Sequence, residues 1–197
     1  MHVPEAAETS GFKTIEGEFY TEHLVVLGRL ACPESRLSDH LNSATTTFDL
    51  SPARVQRSLT GLRVNVTGNR AYITKSHLLF VLPVLEPTDI RSGANPRWTP
   101  TLTQTCWAGV GRYSLVGSAH MAAEQNPRLF MRSLEQRRFL PLTDVKLTFP
   151  DGAVKEYATV IVNRHHVELL ALQSDVMQVV QTASDPTPTP GLEQAAQ

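Results

Sequence analysis

Apolar positions along this chain change period several times, and the changes fall in the same order twice. The first series opens on a β-rich run at residues 24–30 and passes through Cys32-Pro33. In Arg36-Leu-Ser-Asp-His-Leu-Asn42 the residues Leu37 and Leu41 lie one helical turn apart, which predicts a short helix. Ser35 suits its N-cap, and Asn42 suits a left-handed residue at its end. Strands are expected at 48–50, 53–59, 62–66, 71–74 and 78–82, with Gly68-Asn69 read as a hairpin turn between two alternating runs.

The second series repeats that order with a strand at 115–121, a helix at 127–136, strands at 139–149, a turn at Pro150-Asp-Gly152, and strands at 157–162 and 167–170. Gly28 matches Gly117 at an offset of 89, Arg36-Leu37 match Arg128-Leu129 and Leu50 matches Leu142 at 92, and Ile73 and His77 match Ile161 and His165 at 88. The drift falls in loops, where insertions are tolerated. This order predicts a duplication in an all-β to α+β chain: two tandem small barrel-like units of the Sm-like or SH3-like kind, each a strand, a short helix and several antiparallel strands. The alternative is one larger α+β domain. The expected division is a disordered tail at 1–11, a first unit at 12–85, a Trp/Pro/Gly-rich insert at 86–112, a second unit at 113–182 and a second tail at 183–197.

Three short motifs resemble a bacterial family of domains of unknown function, in which an RLSDxLN helix is followed by FxxLTDV and a late VNRxxI strand. The first unit carries Arg36-Leu-Ser-Asp-x-Leu-Asn42; the second carries Phe139-Leu-Pro-Leu-Thr-Asp-Val145 and Val162-Asn-Arg-His-His-Val167. Each unit departs where the other keeps the pattern, with Phe48-Asp-Leu-Ser-Pro-Ala-Arg54 in the first and Arg128-Leu-Phe-Met-Arg-Ser-Leu134 in the second. The resemblance implies a small β-rich domain with no known catalytic machinery.

Composition narrows the function classes. Lys+Arg (18) nearly cancel Asp+Glu (19), which gives no global field for a polyanion or an anionic bilayer. No run approaches the ~18 apolar residues of a membrane helix, and the first residues lack a secretory pattern, so a cytoplasmic location is expected. Cys32 and Cys106 form no Cys-x-x-Cys pair, and none of the 7 histidines has zincin spacing, so no metal and no cofactor are expected. His165-His166, read as strand residues, would point to opposite faces.

Catalysis finds no local support. Ser38-Asp39-His40 holds the residue types of a hydrolase triad, but consecutive helix positions point about 100° apart. Arg36, Leu37, Ser38, Asp39, Leu41 and Asn42 are therefore read as a structural motif. Binding is expected instead from Trp98 and Trp107 with Arg97 and Arg112, and from Arg128 and Arg132, which share a helix face. The resulting expectation is a non-catalytic binding or scaffolding protein that takes a protein partner or self-associates. Its rivals are an RNA or other nucleic-acid module, and an enzyme whose site lies between the units.

Overall fold

Strand formation begins before the first long apolar run, because Lys13–Thr21 (β1) turns Ile15, Gly17 and Phe19 inward and Glu16 outward, the period of a half-buried strand. It pairs antiparallel with Leu24–Cys32 (β2), Gly17 opposite Gly28. The computed structural model describes residues 13–33, 36–58, 66–84, 101–122 and 137–172. After β2 come a helix at Leu37–Leu41 (α1), strands Thr47–Leu50 (β3), Ala53–Ser58 (β4), Val66–Gly68 (β5) and Ala71–Thr74 (β6), a 3-10 turn at Lys75–His77, and Leu78–Val84 (β7). The remainder is Thr101–Val110 (β8), Tyr113–Ala122 (β9), Phe139–Thr148 (β10), Val154–Asn163 (β11), a second 3-10 turn at Arg164–His166, and Val167–Leu172 (β12).

Every pairing is antiparallel, and the strands form one ten-stranded sheet in the order β12-β8-β9-β10-β11-β7-β1-β2-β4-β5 beside a two-stranded sheet of β3 and β6. Among the described residues the large sheet ends at β12 and β5 without closing, so an open antiparallel sheet stands in place of the closed barrels expected from the sequence. Its neighbour order reads β7-β1-β2-β4-β5 on one side and β12-β8-β9-β10-β11 on the other, and in each a 3-10 turn precedes the last strand in the chain. The two series meet over two residue pairs, Ile161 with Val81 and Val162 with Phe80.

Several local expectations change. Gly68-Asn69 is not a hairpin: β5 pairs with β4 and β6 with β3, so 66–74 is one strand bent where its partner breaks at Ser51-Pro52. Proline has no N–H for the ladder, and glycine within a strand marks a bend as readily as a turn. The turn at Pro150-Asp-Gly152 forms as expected, with Gly152 at φ 83° and the Gly152 N–H donating to the Phe149 carbonyl at 2.9 Å. Residues 101–110 of the expected insert are strand β8, whose inward Cys106, Ala108 and Val110 alternate with Thr105, Trp107 and Gly109. Thr, Gln and Gly obscure that alternation in the sequence. His165 and His166 lie in the second 3-10 turn, not in a strand. The tails, the helix expected at 127–136 and Ser35 lie outside the described residues.

Two hydrophobic clusters share β7, whose Leu78, Leu79, Phe80, Val81 and Leu82 are all buried. Leu79, Phe80 and Leu82 join Tyr20, Tyr113, Leu115 and Val160 on one side. Leu78 and Val81 join Phe19, Leu41, Leu50, Phe139 and Ile161 on the other. Phe80 stacks on Tyr20 at 4.5 Å between ring centroids and meets Tyr113 edge-on at 4.9 Å, favourable geometries for aromatic pairs. Gly28 and Gly117 are required by close approach. A Cβ on Gly28 would sit 2.8 Å from the Leu50 Cβ and 3.2 Å from the Pro52 oxygen; one on Gly117 would sit 2.8 Å from the Val145 Cγ2 and 3.2 Å from the Thr143 oxygen.

Helix α1 is held by its apolar face rather than by a cap. Arg36 makes no side-chain cap bond, Asn42 is right-handed (φ −83°) rather than left-handed, and Leu37 and Leu41 are buried. Under it lies the buried Lys75, whose Nζ donates to the His40 and Ser43 carbonyls and the Ser43 hydroxyl at 3.1–3.2 Å. A cation against carbonyls at a helix C-terminus is favourable, and here it anchors the loop that follows α1. Leu41→Ala is expected to cost about 2–5 kcal/mol, while His40→Ala, which keeps the carbonyl that Lys75 uses, costs well under half of that. Urea denaturation midpoints of the two variants check the ordering.

Candidate functional site

The RLSDxLN motif works as a joint between the two strand series. The Asn42 side chain donates from Nδ2 to the Ser38 carbonyl at 2.8 Å and the Phe139 carbonyl at 2.9 Å, and its Oδ1 accepts the Phe139 N–H at 2.8 Å. Asn42 thus mimics a strand partner for the first residue of β10. Ser38 takes part through its carbonyl, Asp39 is exposed, and Arg36 accepts the Asp39 and His40 N–H groups at 3.1 and 3.2 Å. A second joint comes from the run Val162-Asn-Arg-His-His-Val167. The fully buried Asn163 donates from Nδ2 to the Lys75 carbonyl at 3.1 Å and the Leu78 carbonyl at 2.7 Å, while its Oδ1 accepts the His165 N–H at 3.2 Å. His166 Nε2 lies 2.7 Å from the Ser76 carbonyl. The Phe139 partner of Asn42 lies 97 positions away, and the carbonyls that Asn163 holds lie 88 and 85 positions away.

Of the residues expected to bind, Trp98, Arg97, Arg128 and Arg132 lie outside the described residues. Trp107 is half-buried in β8. Its ring lies over Gly109, where a Cβ would stand 3.3 Å from the ring, and its Nε1 donates to the Ser114 hydroxyl at 2.7 Å. In the register with β12, Ala171 faces Trp107 and Leu169 faces Gly109, so Leu169 and the indole share one face. Arg112 is exposed at the β8–β9 turn, beside Gly111 at φ 56°.

Reactive groups are quiet. Burial pushes the Cys106 thiol up to about 11, which keeps it protonated and unreactive at neutral pH. Burial, then a hydrogen bond with Glu18, raises Tyr20, and burial followed by the Glu18 charge raises Tyr157. Tyr157 lines an open depression of about 320 Å³ with Asp144, Lys146, Glu156 and Ala158, where Lys146 and Glu156 pair at 3.5 Å. Desolvation, then the charges of Arg138 and Arg164, lowers His165, and these arginines make the second 3-10 turn a basic spot. Among the described residues no group of three or more His, Cys, Asp or Glu is placed to hold a metal, and no helix is long and apolar enough to cross a membrane.

Large apolar side chains are exposed at Val84 in β7 and Val154 in β11, and also at the strands that end the sheets. Val66 in β5 is 56% exposed and Tyr72 in β6 is 69% exposed; at the opposite end Leu169 in β12 is 55% exposed. Among the described residues no strand covers the outer edge of β5, β6 or β12. An uncovered edge offers unpaired N–H and C=O groups, and large apolar side chains on it favour pairing with another chain. Sequence reasoning missed Tyr72 and Leu169, because alternation marks strands without telling which of them end a sheet.

Comparisons with family models, curated proteins and solved structures gave no match to this chain.

Proposed function

We propose that the protein is a non-catalytic binding or scaffolding protein of the cytoplasm that works through protein association, its chain composed of two tandem copies of one small β-rich unit. The equal neighbour order of the two strand series, each with a 3-10 turn before its last strand, supports the tandem reading. So do Gly28 and Gly117, which in both series admit the close passage of the next strand. The observation that carries the functional reading is the pair of uncovered sheet ends with large apolar side chains, extended at β12 by the Trp107 indole beside Leu169.

A second reading, RNA binding, draws on the basic spot of Arg138, Arg164, His165 and His166. Salt separates the two. Association through apolar edges is expected to change less than about threefold between ~50 and ~200 mM salt, whereas binding through several phosphate contacts falls by about 10³ or more. Sedimentation of the full chain, alongside fluorescence anisotropy with a labelled single-stranded RNA, reads both. A steeply salt-dependent RNA complex without any salt-resistant protein association overturns the proposal.

A further inference from the structure

The seam inside the chain is a head-to-tail contact, and the two ends of the sheet carry the same two half-seams, which no strand among the described residues covers. The correspondence of the series is fixed by backbone bonds: the Lys75 N–H donates to the Thr46 carbonyl at 2.9 Å, and the Arg164 N–H donates to the Arg138 carbonyl at 2.7 Å. These bonds place the first 3-10 turn on the second, and so Thr74 on Asn163, Tyr72 and Ile73 on Ile161 and Val162, and Phe80 and Val81 on Leu169 and Leu170. This corrects the offset expected from the sequence by one residue, since Ile73 answers to Val162 and not to Ile161.

Inside the chain, β11 meets β7 through Ile161 opposite Val81 and Val162 opposite Phe80, all four at most 3% exposed. At the ends, the corresponding positions include Tyr72, 69% exposed, and Leu169, 55% exposed. Tyr72 and Leu169 are surface where their internal counterparts Ile161 and Phe80 are core, while Ile73 is buried and Leu170 half-buried. A strand edge of the same kind recurs there, and among the described residues no strand covers it.

From this we infer that β12 of one copy pairs with the β5–β6 edge of a second copy, repeating the β7–β11 seam head to tail. Tyr72 then lies opposite Leu170, and Ile73 opposite Leu169, of the neighbouring copy. His77, exposed in the first 3-10 turn, takes the place of His166, whose Nε2 reaches the Ser76 carbonyl at the internal seam. The outer seam lacks one clamp, because Thr74 stands where Asn163 holds two carbonyls. The intermolecular contact is accordingly weaker than the internal one and depends on concentration. A contact of this kind is heterologous, so repeated use of it closes a ring or extends a filament. The inference rests on the tandem and protein-association reading and names its partner as a second copy of this chain.

Complementation between edge variants tests it. Tyr72→Lys and Leu169→Lys each alter one exposed side chain, and far-ultraviolet circular dichroism confirms that both fold. In light scattering coupled to size exclusion, the unmodified chain is expected to form a multimer of defined stoichiometry or a filament at concentrations up to about 100 µM. Each variant alone is expected to run as a monomer, and an equal mixture to give a dimer and nothing larger, since one intact end remains on each. An unmodified chain that stays monomeric overturns the inference. A variant that alone still associates as well as the unmodified chain points to a symmetric or different contact and also overturns it, while leaving the protein-association reading standing. That reading fails only on the salt and RNA outcome given above.

Discussion

Replacing Asn163 by aspartate is expected to bring the protein to the edge of unfolding at neutral pH. The amide nitrogen of Asn163 faces two carbonyl oxygens, of Lys75 and Leu78, in a fully buried site. A carboxylate oxygen in its place would donate to neither and would carry an unpaired charge into the interior. The loss is of order 4 kcal/mol, against a total stability of about 5–15 kcal/mol for a domain of ordinary size. The sign of the pH effect follows from the same geometry. Burial beside two carbonyls raises the folded-state pKa of the new carboxyl above its unfolded value, so the penalty is greatest at neutral pH and shrinks as the group takes up a proton on acidification. Urea midpoints measured at about pH 7 and about pH 5 check this, with Asn163→Ala as the neutral control, whose smaller loss stays flat with pH.

Gly28→Val and Gly117→Val form the second large expectation, each losing about 3 kcal/mol through overpacking. In both, the added carbons meet a side chain at 2.8 Å and a backbone oxygen at 3.2 Å, and a backbone oxygen cannot swing aside as a flexible side chain can. Gly68→Ala, whose nearest neighbour is the Arg70 oxygen at 3.4 Å, is expected to cost under about 1 kcal/mol. Thermal midpoints of the three variants decide it. A Gly28 variant as mild as the Gly68 one would mean that β3 can draw back from β2.

Much of the strand order was legible in the sequence, because the β-rich runs at 24–30, 115–121 and 139–149 are a local signal that survives whatever packs on it. Strands β1 and β8 were not. In β1 the inward Gly17 between Glu16 and Glu18 interrupts the apolar series of Ile15 and Phe19, and in β8 Thr105 and Gly109 give the outward positions little polar contrast. Gly68-Asn69 misled for a different reason. A bend within a strand and a turn between strands use the same residues, and only the partner strand distinguishes them. The roles of Asn42 and Asn163 were hidden by distance, since each satisfies backbone groups that the chain brings near only after the sheet has formed. Exposure of Tyr72 and Leu169 was illegible too. An edge is a property of the whole sheet order, not of a window of residues.

The burial of β7 on both faces ties the fates of the two halves. One strand supplies Phe80 to one cluster and Val81 to the other, so neither cluster can dissolve without stripping the strand that the other needs. A substitution that loosens β7 in one cluster therefore strips contacts from the other as well.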